Sequence, residues 1–109
     1  RQMPHGPAET TAFRFESGGK TIAYATDFSA FDDDMVGFFS GVDLFVVDAL
    51  RREPHPTHAH LAMSLELIER AGVKRAILTH LDKSMDYATL RRELPTNVEP
   101  GYDGLVAEA

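Results

Sequence analysis

Residues 44–80 read LFVVDALRREPHPTHAHLAMSLELIERAGVKRAILTH, and this stretch decides the fold. Leu44-Phe45-Val46-Val47 is an unbroken apolar run closed by Asp48, the pattern of a strand buried on both faces. Residues 51–60 form a proline-punctuated loop. Leu61, Leu65 and Ile68 then recur at i, i+4 and i+7, which predicts a helix that Thr57 can cap and that Gly72 ends. Ala76-Ile77-Leu78 is the next short apolar strand, and Thr79-His80 follows it. Strand, helix, strand in that order is the parallel crossover unit of an α/β protein.

The flanks extend this unit. Ala12-Phe13-Arg14-Phe15-Glu16 alternates apolar and polar, Ser17-Gly18-Gly19-Lys20 is a turn, and Thr21–Thr26 is a second strand, so a hairpin is expected. Ser29 suits a helix N-cap, and Met35, Phe38 and Phe39 give that helix an apolar side. Asp32, Asp33 and Asp34 then match the positive end of the helix and need no metal to explain them. Downstream, Asp86 or Ser84 starts a helix through Tyr87 and Leu90 that Pro95 stops, and Leu105-Val106-Ala107 is a weak last strand. No repeat, low-complexity tract or hinge divides residues 1–109, which read as one domain.

Composition narrows the function. The chain has 109 residues, of which 43% are hydrophobic and 26% charged, a globular balance rather than a disordered one. No apolar run reaches the ~18–20 residues of a membrane span. A net charge of −6 with no basic cluster argues against general nucleic-acid binding, but leaves room for a phosphoester held through a metal. Cysteine is absent, which removes disulfide and thiolate chemistry, and a cytoplasmic location is expected. Arg1-Gln2-Met3-Pro4-His5-Gly6-Pro7 has neither an initiator Met nor a signal pattern, so a processed chain or a segment of a longer one is expected.

Chemistry collects where strands end. Thr26 gives way to Asp27, Val47 to Asp48, and Thr79 to His80. Open α/β sheets form their sites beyond the carboxyl ends of strands, and Asp with His suits Zn²⁺ or Mn²⁺. The rival explanation is that each Asp merely caps a helix or holds a turn. His55-Pro-Thr-His58-Ala-His60 is a second concentration of His, but i and i+2 positions at a helix start point different ways. One His from this loop acting on a substrate or metal held elsewhere is the better reading, with His60 on the surface. His55 reads as a substrate contact or an exposed residue, and Arg51 and Arg52 as a solvated pair. His5 lies in a segment with no pattern of its own.

Taken in order, Pro4-His5-Gly6, Tyr24-Ala25-Thr26-Asp27, Asp48, Pro54-His55-Pro56-Thr57-His58, Leu78-Thr79-His80 and Tyr102-Asp103-Gly104 carry a resemblance. The chain resembles the C-terminal half of a metallo-β-lactamase-fold hydrolase, closest to the cyclic phosphodiesterases that act on phosphoribosyl cyclic phosphate, with tRNase Z more distant. The resemblance implies α/β architecture: half of an αββα sandwich, one mixed sheet covered by helices on one face. It implies two divalent metal ions, Zn or Mn, with His5, Asp27 and His80 as ligands and Asp27 bridging. It makes His58 the catalytic histidine at the scissile phosphate and keeps His55 as a substrate-binding candidate.

The His-x-His-x-Asp-His signature of that family is missing, and Leu81-Asp82-Lys83 differs from the Ser-His often found there. The resemblance therefore implies a missing N-terminal half, or a second copy of the chain, as partner. That partner would cover a bare sheet face carrying Phe13, Phe15, Ile22 and Tyr24, and the chain alone would be inactive. The substrate implied is a small phosphoester. Two rivals stand beside this reading. One is a non-catalytic half-domain serving dimerisation or protein binding. The other is a phosphoreceiver-like domain, which the acidic strand ends and Lys83 suggest but the opening hairpin and His80 fit poorly.

Overall fold

A computed structural model describes residues 2–81 and 85–101. Two sheets organise it. The first is a small antiparallel hairpin of β1 (Gln2–His5) and β2 (Ala8–Thr11). The second has five strands in the order β3 (Phe13–Ser17), β4 (Lys20–Ala25), β5 (Leu44–Asp48), β6 (Ala76–Thr79) and β7 (Val98–Pro100). β3 and β4 pair antiparallel, and every later pairing is parallel. Gly18 and Gly19, both at positive φ, make the tight β3–β4 turn, a conformation that suits the twist of a two-residue hairpin loop.

The register sorts the two faces of the large sheet. Ala23, Phe45 and Ala76 lie in one row, and Ala25, Val47 and Leu78 in another. All six are fully buried, in one core with Met35, Phe39, Leu67, Ile68 and Leu90 from the helices. Those helices are α1 (Asp33–Phe38), α2 (Leu61–Ala71) and α3 (Tyr87–Glu93). Phe39 packs on Phe45 with ring centroids 4.5 Å apart. The alternate rows belong to the other face, where Phe13, Phe15, Ile22 and Tyr24 remain 37–58% exposed. The expected half-sandwich, one mixed sheet with helices on one face and an apolar face left open, is therefore present. Among the described residues no helix is long and apolar enough to cross a membrane.

Local signals were partly overruled by tertiary contacts. Asp32, not Ser29, caps α1, and its side chain accepts from the Met35 amide at 2.9 Å. Ser29 instead ties β1 and β2 to the main body: its Oγ accepts from Gly6 N at 3.0 Å, and its amide donates to Pro4 O at 2.7 Å. Thr57 does not cap α2; His60 occupies that position, half-buried and without a capping bond. Gly72 ends α2 in the left-handed conformation, as expected. Asp86 caps α3 through Thr89. β1, β2 and β7 had no sequence counterpart. The expected strand at Leu105–Ala107, the motif at Tyr102–Gly104, and Lys83 and Ser84 lie outside the described residues.

Asp43 clips the start of the sheet. Its Oδ2 accepts from the Thr21 amide at 2.8 Å, and Lys74 Nζ lies 3.0 Å from its Oδ1. These contacts, the backbone hydrogen bond first, hold its carboxyl below the usual range. A depressed folded-state pKa stabilises above the unfolded pKa and fades as pH falls through the folded value. Asp43→Asn is expected to lower the melting temperature at neutral pH, and the gap from the parent chain should close in acid. Thermal melts across pH check this.

Candidate metal centre

β4, β5 and β6 run parallel and end level, with Ala25 beside Val47 and Asp48 beside Thr79. Asp27 follows β4, Asp48 terminates β5, and His80 follows β6, so three polar side chains leave one sheet edge together. Asp27 (φ 58°) and His80 (φ 65°) both adopt the left-handed conformation, and no other described residue except glycine does so. That conformation costs an L-residue about 1–2 kcal/mol, and such strain concentrates at functional sites.

The loop after β5 brings His58 to the same place. Ala49 N bonds Thr79 O at 3.1 Å, Leu50 N bonds Ala59 O at 3.0 Å, and Leu61 N bonds Arg51 O at 2.9 Å. Arg51 is not free in solvent: its guanidinium donates to the carbonyls of Glu53 and Pro54 and stiffens the loop. Arg52 pairs with Glu93. Ser64 of α2 donates its hydroxyl to the Asp48 carbonyl, anchoring the helix beneath the site.

Asp27, Asp48, His58 and His80 each offer a ligand atom, and these atoms lie within 4.8 Å of one another. His58 Nδ1 is 3.1 Å from Asp48 Oδ2 and 3.4 Å from Asp27 Oδ1. His80 Nδ1 is 3.2 Å from Asp27 Oδ1 and 3.2 Å from Asp48 Oδ1. The last contact is close but not aligned for hydrogen bonding, so Asp48 Oδ1 is buried without a hydrogen-bond donor. Asp48 is wholly buried, and desolvation pushes its carboxyl pKa up; His58 and His80 oppose that rise and the Asp27 charge adds to it. Two carboxylates and two imidazoles around an unsatisfied buried oxygen fit a divalent cation.

His5 and His55 flank this group. His5 Nδ1 donates to Thr57 O at 2.5 Å, which leaves Nε2 with the free lone pair a ligand needs. Its ring stands edge-on to His58 with centroids 5.0 Å apart. Gly6 permits this approach: at φ 59°, a Cβ there would meet Thr57 Cγ2 at 2.6 Å. His55 also packs against His58, at 5.3 Å between centroids. Its Nδ1 accepts from Thr57 N, so the neutral ring carries its proton on Nε2. Desolvation first, then the Arg51 charge, lowers its pKa. Asp27, His58 and His80 thus meet in the four-residue group, and His5 and His55 lie against His58 outside it. Asp48, an acid ending an apolar run, was read from sequence as a strand-end candidate for a ligand or acid-base group but was not placed among the metal ligands. His60 does not reach the group.

A family model, the β-lactamase superfamily domain, matches residues 2–81. The chain belongs to the β-lactamase superfamily. Its fold is that of the metallo-β-lactamase hydrolase family. A crystal structure of a diphosphatase from the PhnP family superposes with a TM-score of 0.87 and 35% identity, covering 95% of this chain and 39% of that one. Human tRNase Z, short form, matches with a TM-score of 0.77 at 18% identity, covering 98% and 40%. Zn²⁺-bound PqqB from Methylobacterium extorquens matches at 0.75 and 17%, covering 99% and 48%. A curated octanoyltransferase from Porphyromonas gingivalis (strain ATCC BAA-308 / W83) is 29% identical over 91 residues, 79% of this chain and 18% of that protein. The chain spans less than half the length of each of these relatives.

Asp27 gives this superfamily member a cost that can be measured. Asp27→Gly relieves the left-handed backbone and removes a carboxylate facing Asp48. In mildly alkaline, metal-free buffer it should raise unfolding stability by about 0.5–1 kcal/mol, strain relief being partly offset by the freer unfolded glycine. The same variant should lose any rise in melting temperature produced by added Zn²⁺ in the parent. Urea and thermal denaturation with and without Zn²⁺ check both.

Proposed function

We propose that this chain is the C-terminal part of a metal-dependent phosphodiesterase that cleaves a small phosphoester with two divalent cations, Zn or Mn. The observation that carries the reading is the convergence of Asp27, Asp48, His58 and His80 where three parallel strands end. His5, Asp27 and His80 are the residues that would hold the cations, with the remaining ligands supplied from outside the chain. When bound, such cations lower the pKa of a water and neutralise phosphate charge. His58 is the general acid. Asp48 Oδ2, 3.1 Å from its Nδ1, orients the ring, leaving Nε2–H to protonate the departing alkoxide. His55, with Nε2–H as donor, contacts the phosphate. The likeness to a PhnP-family diphosphatase and to tRNase Z supports phosphorus–oxygen chemistry.

The open face with Phe13, Phe15, Ile22 and Tyr24 takes the sheet of an N-terminal half carrying the missing ligands, or of a second copy. The chain alone is inactive. The test mixes this chain with an N-terminal half that carries His-x-His-x-Asp-His, then assays a cyclic phosphodiester with Zn²⁺ or Mn²⁺. Turnover by the mixture and by neither part supports the reading. A stable assembly that binds no metal and cleaves no phosphodiester overturns it in favour of a non-catalytic interaction module.

A further inference from the structure

We infer that this chain by itself holds one divalent cation, in a shell made of Asp27, Asp48, His58 and His80, with Asp48 as a direct ligand. The inference rests on the metal site proposed above but changes its membership. His58 and Asp48, assigned there to proton transfer, complete the shell when no other polypeptide supplies ligands.

Three observations carry it. The first is spacing. A tetrahedral shell with bonds of about 2.0–2.2 Å has ligand–ligand edges of roughly 3.3–3.6 Å. Three of the edges here measure 3.2, 3.2 and 3.4 Å, joining the His80 and His58 Nδ1 atoms to Asp27 Oδ1 and His80 Nδ1 to Asp48 Oδ1, while His58 Nδ1 also lies 3.1 Å from the other Asp48 oxygen, Oδ2. The second is Asp48 Oδ1, an oxygen of a side chain with no exposed surface and with no hydrogen-bond donor, aimed at this centre. A buried carboxylate oxygen left without a donor is costly, and a cation satisfies it. The third is the composition of the shell: two carboxylates cancel the double charge of the ion, and two imidazoles complete four-coordination. His5 is left out of this shell, because it lies outside the group of mutually close ligand atoms.

The single-cation shell and the assembled site then compete for His58. In the lone chain Nδ1 of His58 faces the ion. In the assembly, ligands from the other half take over, and His58 returns to the Asp48 hydrogen bond.

The experiment titrates the 109-residue chain with Co²⁺ and follows the visible ligand-field absorption, with calorimetry for stoichiometry and circular dichroism to confirm folding. The expected result is one Co²⁺ per chain with the intense absorption of a four-coordinate ion. Asp48→Asn should weaken binding at least about tenfold and alter the spectrum. His80→Asn, whose side chain tolerates the left-handed backbone, should do the same and stands in if Asp48→Asn does not fold. His5→Ala decides between the two ligand sets. If it abolishes binding while Asp48→Asn does not, the ion sits on His5, Asp27 and His80; this inference is then overturned and the proposed function stands. No binding by the parent chain also overturns the inference, and it leaves the assembled phosphodiesterase to its own assay.

Discussion

His80→Ala is expected to lower kcat/KM of the proposed phosphodiesterase assembly by about 10³-fold or more, a loss of at least about 4 kcal/mol of transition-state stabilisation. His80 is placed by the β5–β6 register, which sets Asp48 beside Thr79, and by a left-handed backbone that turns it toward Asp27 and Asp48. Besides His80, His58 is the described histidine with a ring nitrogen close to both acids, and in the proposed mechanism it serves the leaving group. No described side chain can therefore substitute. Alanine could also act by straining the backbone, so His80→Asn serves as the companion variant. It should keep the parent's melting temperature within a few degrees while losing activity to a similar extent. Steady-state kinetics on a cyclic phosphodiester, with metal content measured on the same samples, read the effect.

The second large effect belongs to His58. His58→Ala in the assembled protein should reduce kcat by about 10²–10⁴-fold on substrates with alkoxide leaving groups. KM should move little, because the proton is transferred in the transition state and not on binding. The same variant should lose far less on a p-nitrophenyl phosphodiester, whose phenolate departs without a proton. A purely structural role for His58 would depress both substrates equally. Asp48→Asn should slow alkoxide cleavage more than p-nitrophenyl ester cleavage in the same assay, since Asp48 Oδ2 is the group that orients the His58 ring.

Much of the site was written in local pattern. Leu44–Val47 and Ala76–Leu78 are apolar because both strands lie in the middle of the sheet, where most of their side chains are buried, and the polar residue closing each marks where the sheet emerges. Asp27 and His80 were legible for that reason. His58 was legible as the histidine of a stiff loop, although the loop's stiffness comes from Arg51 binding carbonyls as well as from proline. β1 and β2 were not legible, because a two-stranded ribbon of mixed polar residues with Pro4 in it has no alternation to read; Ser29 and Thr57 hold it through tertiary bonds. The bond to Gly6 engages the Ser29 hydroxyl, and α2 begins at Leu61, beyond the reach of a Thr57 cap. β7 is three residues long and ends in Pro100, too short to carry a period. The role of Asp48 needed three dimensions. Its total burial, and the oxygen left without a donor, depend on Ser64, His58 and His80 meeting over one strand end.

The account turns on where the cation sits. Anomalous X-ray diffraction from crystals of the assembled protein, grown with Zn²⁺ and measured on either side of the zinc absorption edge, places it directly. The account predicts anomalous peaks bonded to Asp27 and His80, one of them shared with His5. An assembled protein that cleaves phosphodiesters while showing no peak at Asp27 and His80, or showing zinc only at another surface, would contradict it.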